Sequence, residues 1–177
     1  MKTQNRTTSQ INDFVAESLK PSDLIILGGR PGSGKTEFAC RICETLTLSG
    51  KKAVYFSLSE PRELLLKRFK SVREGNDGGL FVDDSAGITV PVMAQKIRAL
   101  GEADCVIIDY LGLINPCRAG LNRSEEVAEI IGGMKAMAAK FNIPVLCLAQ
   151  LSKDKSGKTV LPESDAVIKG SDKLIII

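Results

Sequence analysis

The sequence predicts an α/β fold in which a mostly parallel central sheet carries helices on both faces, three layers in all. Three observations predict it. Six apolar runs of strand length recur along the 177 residues, each run is continuous rather than alternating, and helix-like segments separate them. Continuous runs are the signature of parallel strands covered on both faces. The length suits one domain, expected over 23–177, with an N-terminal arm or linker over 1–22.

Taken in order, Leu24-Ile25-Ile26-Leu27 is the first strand, and a helix follows from Glu37 to about Leu48. Ala53-Val54-Tyr55-Phe56 is the second strand. Pro61 to about Arg73 then places Leu65, Phe69 and Val72 on one helical face. Leu80-Phe81-Val82 is the third strand, and Thr89 before Val90-Pro91 marks a helix start with Met93, Ile97 and Leu100 facing inward. After the fourth strand, Cys105-Val106-Ile107-Ile108, Ser124 is the expected N-cap of a long helix. Its stripe is Val127, Ile130, Ile131, Met134, Met137, Ala138 and Phe141. Gly132 and Gly133 inside it cost about 1 kcal/mol each relative to Ala, so close packing against a neighbour is expected there. Asn142-Ile143-Pro144 ends the helix, and Val145-Leu146-Cys147-Leu148 and Leu174-Ile175-Ile176-Ile177 are the last strands. All six strands are expected to be buried. The most polar loop, Ser152 to Thr159, carries Lys153, Lys155 and Lys158.

Composition excludes several chemistries. There is no histidine, which removes histidine general bases, Ser-His-Asp triads and most zinc hydrolase sites. There is no tryptophan and aromatic residues make up 5%, so an aromatic base-stacking platform is not expected. A net charge of +3 is too small to argue nucleic-acid binding by itself. Five cysteines are an odd number, as for reduced thiols, and the polar start Met1-Lys2-Thr3-Gln4 lacks the apolar core of a secretory signal. No apolar run approaches the roughly 20 residues of a membrane span, so a cytoplasmic protein is expected.

The chemistry lies in Gly29-Arg30-Pro31-Gly32-Ser33-Gly34-Lys35-Thr36, which fits G-x-x-x-x-G-K-[ST] in full. It follows a predicted strand and opens a predicted helix, the context of a phosphate-binding loop rather than of a glycine-rich turn with an incidental lysine. Glycines let backbone N–H groups converge on phosphate oxygens, and the helix N-terminus adds about half a positive charge. Lys35 is expected to reach the β- and γ-phosphates of ATP, and the Thr36 hydroxyl to bind Mg²⁺. Asp109 ends the fourth apolar run, at the sheet edge where parallel sheets hold ligands, and is the expected second metal residue. Gln150 closes the fifth run in the same way, either sensing the γ-phosphate or as a polar strand-end residue satisfied locally. Glu60, just past the second strand, is the nearest candidate to orient an attacking water, and it equally fits the first turn of a helix.

These residues, with Pro21-Ser22-Asp23-Leu24-Ile25-Ile26, Phe56-Ser57-Leu58, Asp109-Tyr110-Leu111-Gly112-Leu113-Ile114, Asn122-Arg123-Ser124 and Ala149-Gln150-Leu151-Ser152-Lys153, carry a resemblance. The chain resembles the RecA-like, phosphate-loop ATPase domain of DnaB-type replicative helicases over nearly its whole length. The resemblance implies Mg·ATP hydrolysis coupled to single-stranded DNA in replication, a hexameric ring with ATP sites between subunits, and DNA in its channel. It also departs from the family. The family reads Phe-Ser-Leu-Glu where this chain has Ser59, with the glutamate one residue later as Glu60. Leu161-Pro162-Glu163-Ser164-Asp165 stands where a DNA-contacting loop of the family carries Arg and Gly. The family's N-terminal domain is not expected in the 22 residues before the first strand, and its arginine finger would fall beyond Ile177. Slow hydrolysis and weak DNA binding are therefore expected. The alternative is a hydrolysis-impaired nucleotide-binding protein that associates with or regulates a full-length helicase. A small-molecule kinase is a weaker third reading, since no arginine-bearing lid segment is evident.

Overall fold

In the computed structural model, which describes residues 8–69, 79–153, 159–161 and 164–177, the six apolar runs pair into one parallel sheet. The strands are β1 (Leu24–Gly29), β2 (Ala53–Ser57), β3 (Leu80–Asp83), β4 (Cys105–Asp109), β5 (Val145–Gln150) and, after a short ribbon of β6 (Ser152–Lys153) and β7 (Thr159–Val160), β8 (Lys173–Ile176). Their order across the sheet is β3-β2-β4-β5-β1-β8. The helices are α1 (Thr8–Ser18), α2 (Lys35–Leu48), α3 (Arg62–Leu66), α4 (Val90–Leu100), α5 (Arg123–Phe141) and α6 (Ser164–Gly170).

The period-2 alternation of strand side chains sorts the core into two halves. Leu24, Ile26, Val54, Phe56, Val106, Ile108, Val145 and Cys147 point to the face covered by α4, α5 and α6. Ile25, Leu27, Tyr55, Ile107, Leu146 and Leu148 point to the face covered by α1, α2 and α3. Both faces are apolar, which is why the central runs read as continuous. Within the 1–22 segment, α1 joins this second core through Ile11 and Phe14, and Phe14 meets Phe38 edge-on with ring centroids 5.0 Å apart.

The edge strands correct the expectation of uniform burial. Along β3 and β8 burial alternates, and Phe81, Leu174 and Ile176 are exposed. Each of these strands has one sheet neighbour and a half-covered face. Three helix expectations also change. Asn122, not Ser124, caps α5: its side chain accepts from Glu125 N at 3.0 Å, while Glu125 Oε2 accepts from Asn122 N at 2.9 Å. This reciprocal box satisfies two orphan donors at once, which Ser124 does not. Leu100, at the last turn of α4, is exposed rather than inward. Among the described residues, the helix expected over 61–73 is α3, after which the chain tightens, with Arg68 N donating to Leu65 O and Phe69 N to Leu66 O; residues 70–73 lie outside the described residues. Leu65 and Phe69 are buried as expected; Val72 lies outside the described residues.

Close packing does not require either helical glycine: a Cβ on Gly133 would make ordinary contact with Val90 at 3.4 Å, and one on Gly132 would meet nothing within 4 Å. Four of the five cysteines are buried and free. Cys40 and Cys43 share a C-x-x-C spacing on α2, but burial pushes both thiols well up, as befits inert core residues.

Candidate nucleotide-binding site

The C-terminal edge of the sheet gathers the expected residues. β1 ends in Gly28 and Gly29, the loop turns, and α2 begins at Lys35. The glycines follow from close approach and handedness. A Cβ on Gly29 would stand 2.4 Å from Ser33 Oγ and 3.0 Å from Ile177 O, and Gly32 and Gly34 have φ of 73° and 88°. Only glycine adopts such angles without strain. Gly34 offers α2 no side-chain cap, so the helix N-terminus presents bare N–H groups toward the loop.

Lys35 Nζ donates to the carbonyls of Gly29 at 2.8 Å and Arg30 at 2.9 Å. Burial lowers its pKa, and the negative charge of Asp109 works against that shift. Thr36 Oγ1 donates to Asp109 Oδ2 at 2.7 Å. This bond brings together two residues 73 positions apart in the chain. Asp109 is buried, at 4% exposure, and burial raises its carboxyl pKa. Hydrogen bonds from Thr36 and Tyr55 oppose that rise, the charge of Glu60 adds to it, and that of Lys35 opposes it.

Glu60 lies at the same edge, with a half-buried residue position and a carboxylate gripped by Arg68: Nε to Oε1 at 2.8 Å and Nη2 to Oε2 at 3.0 Å. Its carbonyl accepts from the buried Ser57 hydroxyl at 2.6 Å. Ser59, at the family's glutamate position, is exposed. The Gln150 backbone pairs in register with Gly29, which sets this exposed residue beside the start of the loop. Leu151 N then donates to Gly29 O at 3.0 Å, so the ribbon β6–β7 leaves the sheet from the loop's edge. Lys155, Lys158 and Pro162 lie outside the described residues.

Two residues that reading the sequence did not single out belong here. Tyr55 donates its hydroxyl to Asp109 Oδ2 at 3.0 Å, and Arg68 holds Glu60. A phenol inside the apolar run 53–56 was a usable signal, because a buried tyrosine hydroxyl needs a partner.

The arrangement fits a polyphosphate with its metal. Ser33 Oγ is buried without a hydrogen-bond partner, an unmet donor that a phosphate oxygen would satisfy. Among the described residues no three His, Cys, Asp or Glu side chains cluster as a metal cage. Mg²⁺ needs none, since it binds through one or two protein oxygens together with phosphates and water. Two surface cavities, of about 380 and 370 Å³, open at the opposite strand edge around Ala103, Asp104, Phe141 and Ile143.

Asp109→Asn separates the site's function from its stability cost. A raised carboxyl means the native chain binds the proton more readily than the unfolded chain, so native stability falls as pH rises through the ordinary carboxylate range near 3.8. Removing the buried charge is expected to raise the unfolding midpoint at pH 7 in metal-free buffer by about 2–4 °C, as for about 1 kcal/mol in a chain of this size. The gain should shrink as pH approaches 4. Thermal melts across that range check it; a lowered midpoint at pH 7 would contradict it.

Comparison with known proteins agrees with the geometry. A family model described as the DnaB-like helicase C terminal domain matches residues 7–76 and 70–164. The replicative DNA helicase DnaB of Pasteurella multocida (strain Pm70) is 30% identical over 205 aligned residues, covering 93% of this chain and 44% of that protein. The corresponding helicase of Haemophilus influenzae (strain ATCC 51907 / DSM 11121 / KW20 / Rd) is 32% identical over 174, covering 80% and 37%. The chain thus spans less than half the length of these relatives. A solved DnaB-like replicative helicase, described with its interactions with primase, superposes with a TM-score of 0.76 at 21% identity, covering 89% of this chain and 47% of that one. A second solved ATPase domain gives 0.75 at 21%, covering 89% and 69%. The parallel sheet is therefore the RecA-like fold of those domains, and the chain belongs to the DnaB-like helicase C-terminal domain family.

Proposed function

We propose that residues 23–177 are the ATPase unit of a DnaB-type replicative helicase, binding Mg·ATP on the 29–36 loop and coupling its hydrolysis to single-stranded DNA in the cytoplasm. The observation that carries this reading is the Lys35–Thr36–Asp109 constellation, assembled on one sheet edge directly behind a glycine-rich loop. In this reading Lys35 neutralises the β- and γ-phosphates, and the carbonyls of Gly29 and Arg30 keep its ammonium over the loop. Thr36 and Asp109 would hold Mg²⁺, which when bound would offset the charge developing on the phosphates. Glu60 orients the attacking water, and Gln150, beside Gly29, senses the γ-phosphate. The family match and the complete site favour this reading over the hydrolysis-impaired interaction protein. As in the helicases it resembles, a ring of copies would place DNA in a channel and the ATP sites between neighbours. Among the described residues no helix is long and apolar enough to cross a membrane.

Titration with a fluorescent ATP analogue, with Mg²⁺ and with a chelator, tests the proposal: saturable, Mg²⁺-dependent binding is expected, and its absence would overturn the reading. Single-stranded DNA binding is expected to be weak and to rest on Lys153, Lys155 and Lys158. With about 0.7 counterions released per neutralised phosphate, three lysines give a log–log salt slope near −2, or on the order of tenfold lost between 50 and 200 mM salt. Anisotropy of a labelled oligonucleotide measures that slope, and a slope near zero would remove the lysine loop from the DNA contact.

A further inference from the structure

Tyr55 sits on β2, two residues before Ser57, and Ser57 is the register partner of Asp109 on β4. Tyr55 and Asp109 therefore share the sheet face covered by α2 as diagonal cross-strand neighbours, a separation within reach of an aromatic side chain. A serine or threonine is too short for that gap, and a phenol spans it. The hydroxyl reaches Asp109 Oδ2 at 3.0 Å, the same oxygen that accepts from Thr36 at 2.7 Å. The ring is fully buried and is held edge-on by Phe69, with centroids 6.5 Å apart and planes at 89°.

Two donors on one carboxylate oxygen fix the rotation of the whole group. With Oδ2 occupied, Oδ1 is the oxygen left to accept from the water shell of a metal, and Thr36 keeps its own oxygen lone pairs for the ion. We propose that Tyr55 is a positioning residue for magnesium: its buried hydroxyl, with that of Thr36, pins Asp109 so that the free carboxylate oxygen faces the metal's water shell. This rests on the reading that Thr36 and Asp109 hold Mg²⁺. Tyr55 touches neither nucleotide nor metal and acts only through Asp109.

The test uses Tyr55→Phe in the full chain, which keeps the ring and its packing and deletes one hydroxyl. Nucleotide affinity is measured with a fluorescent ATP analogue in chelator and across a Mg²⁺ titration. Metal-free affinity is expected to stay within about twofold, while the Mg²⁺ concentration for half-maximal enhancement rises about tenfold, the scale of losing an outer partner of a metal site. A merely structural tyrosine would lower the melting midpoint and leave that concentration unchanged; this outcome overturns the proposal. If the wild type shows no Mg²⁺ enhancement, the metal reading itself has failed, a result separable from failure of the tyrosine's role. A second measurement does not need the variant at position 55 to fold. Tyr55 and Tyr110 are the two tyrosines and there is no tryptophan, so in Tyr110→Phe protein the emission comes from Tyr55 alone. Adding Mg²⁺ to the ATP-loaded protein is expected to change that emission as Asp109 engages the ion's waters, and constant emission counts against the tether.

Discussion

Lys35→Ala is expected to reduce Mg·ATP affinity by at least about a hundredfold, close to loss of measurable binding. Its ammonium is the fixed positive charge that the loop's own carbonyls hold in place, and burial already lowers its pKa. A cation less well solvated before binding loses less water when it meets a phosphate. At an effective dielectric near 20, a unit pair at 4 Å is worth about 4 kcal/mol, and even half of that is more than tenfold in affinity per phosphate contact. Two phosphates share the lysine in this reading, so the contacts compound. The cost to the fold is small by comparison, because Leu151 N still donates to the buried Gly29 carbonyl, and Arg30, whose carbonyl takes the second bond, is exposed to water that replaces the lost donor. Fluorescent-nucleotide titration of wild type and variant, with melts as the fold control, decides it. Equal affinity in two well-folded proteins would place the nucleotide elsewhere.

The sheet was legible because parallel strands buried on both faces leave an uninterrupted apolar run, and the order of events along the chain is local. What a run does not carry is its place in the sheet. Leu174-Ile175-Ile176-Ile177 and Val145-Leu146-Cys147-Leu148 read alike, yet one lies at an edge and one at the centre. Position depends on which neighbours pair, a property of distant segments. The capping error at α5 is of another kind. Asn122 and Glu125 form a box that stands in the sequence three residues apart; Asn and Ser are equally good cap types, so the reciprocal glutamate is what distinguishes position 122 from Ser124. The N-terminal helix α1 escaped because its two buried residues, Ile11 and Phe14, give too short an apolar stripe to stand out from a polar arm.

The site divides along the same line. The 29–36 loop is contiguous, so its chemistry is written in one motif, and Asp109 was found because a carboxylate ends an apolar strand. Tyr55 and Arg68 act through partners that only the fold supplies: Tyr55 reaches a strand 54 residues away, and Arg68 folds back past the end of α3 onto Glu60. For Glu60 the sequence shows a one-residue shift and no more. The structure adds that the shifted residue turns inward, while Ser59 faces solvent.

That geometry leads to the second large effect, on turnover. Glu60→Gln is expected to lower ATP hydrolysis about a hundredfold or more, within the range that a positioned general base contributes. Wild-type turnover should itself be slow, and little stimulated by single-stranded DNA, because both carboxylate oxygens of Glu60 are engaged by Arg68 at 2.8 and 3.0 Å. A bidentate, charge-assisted pair is among the stronger side-chain hydrogen bonds, and an oxygen bound to a guanidinium is a poor acceptor for a water proton. Arg68 is 44% exposed, so solvent weakens the pair without abolishing it. Arg68→Ala is then expected to raise kcat several-fold with nucleotide affinity unchanged, since the arginine acts through Glu60 rather than through the phosphates. Steady-state hydrolysis of the wild type, both single variants and the double variant resolves the roles: in the double variant Glu60→Gln should dominate, leaving turnover low whatever stands at position 68. Should Arg68→Ala instead depress kcat as far as Glu60→Gln does, the arginine is holding the glutamate in its working position. Strong DNA stimulation of the wild type that survives Glu60→Gln would mean that another residue orients the water.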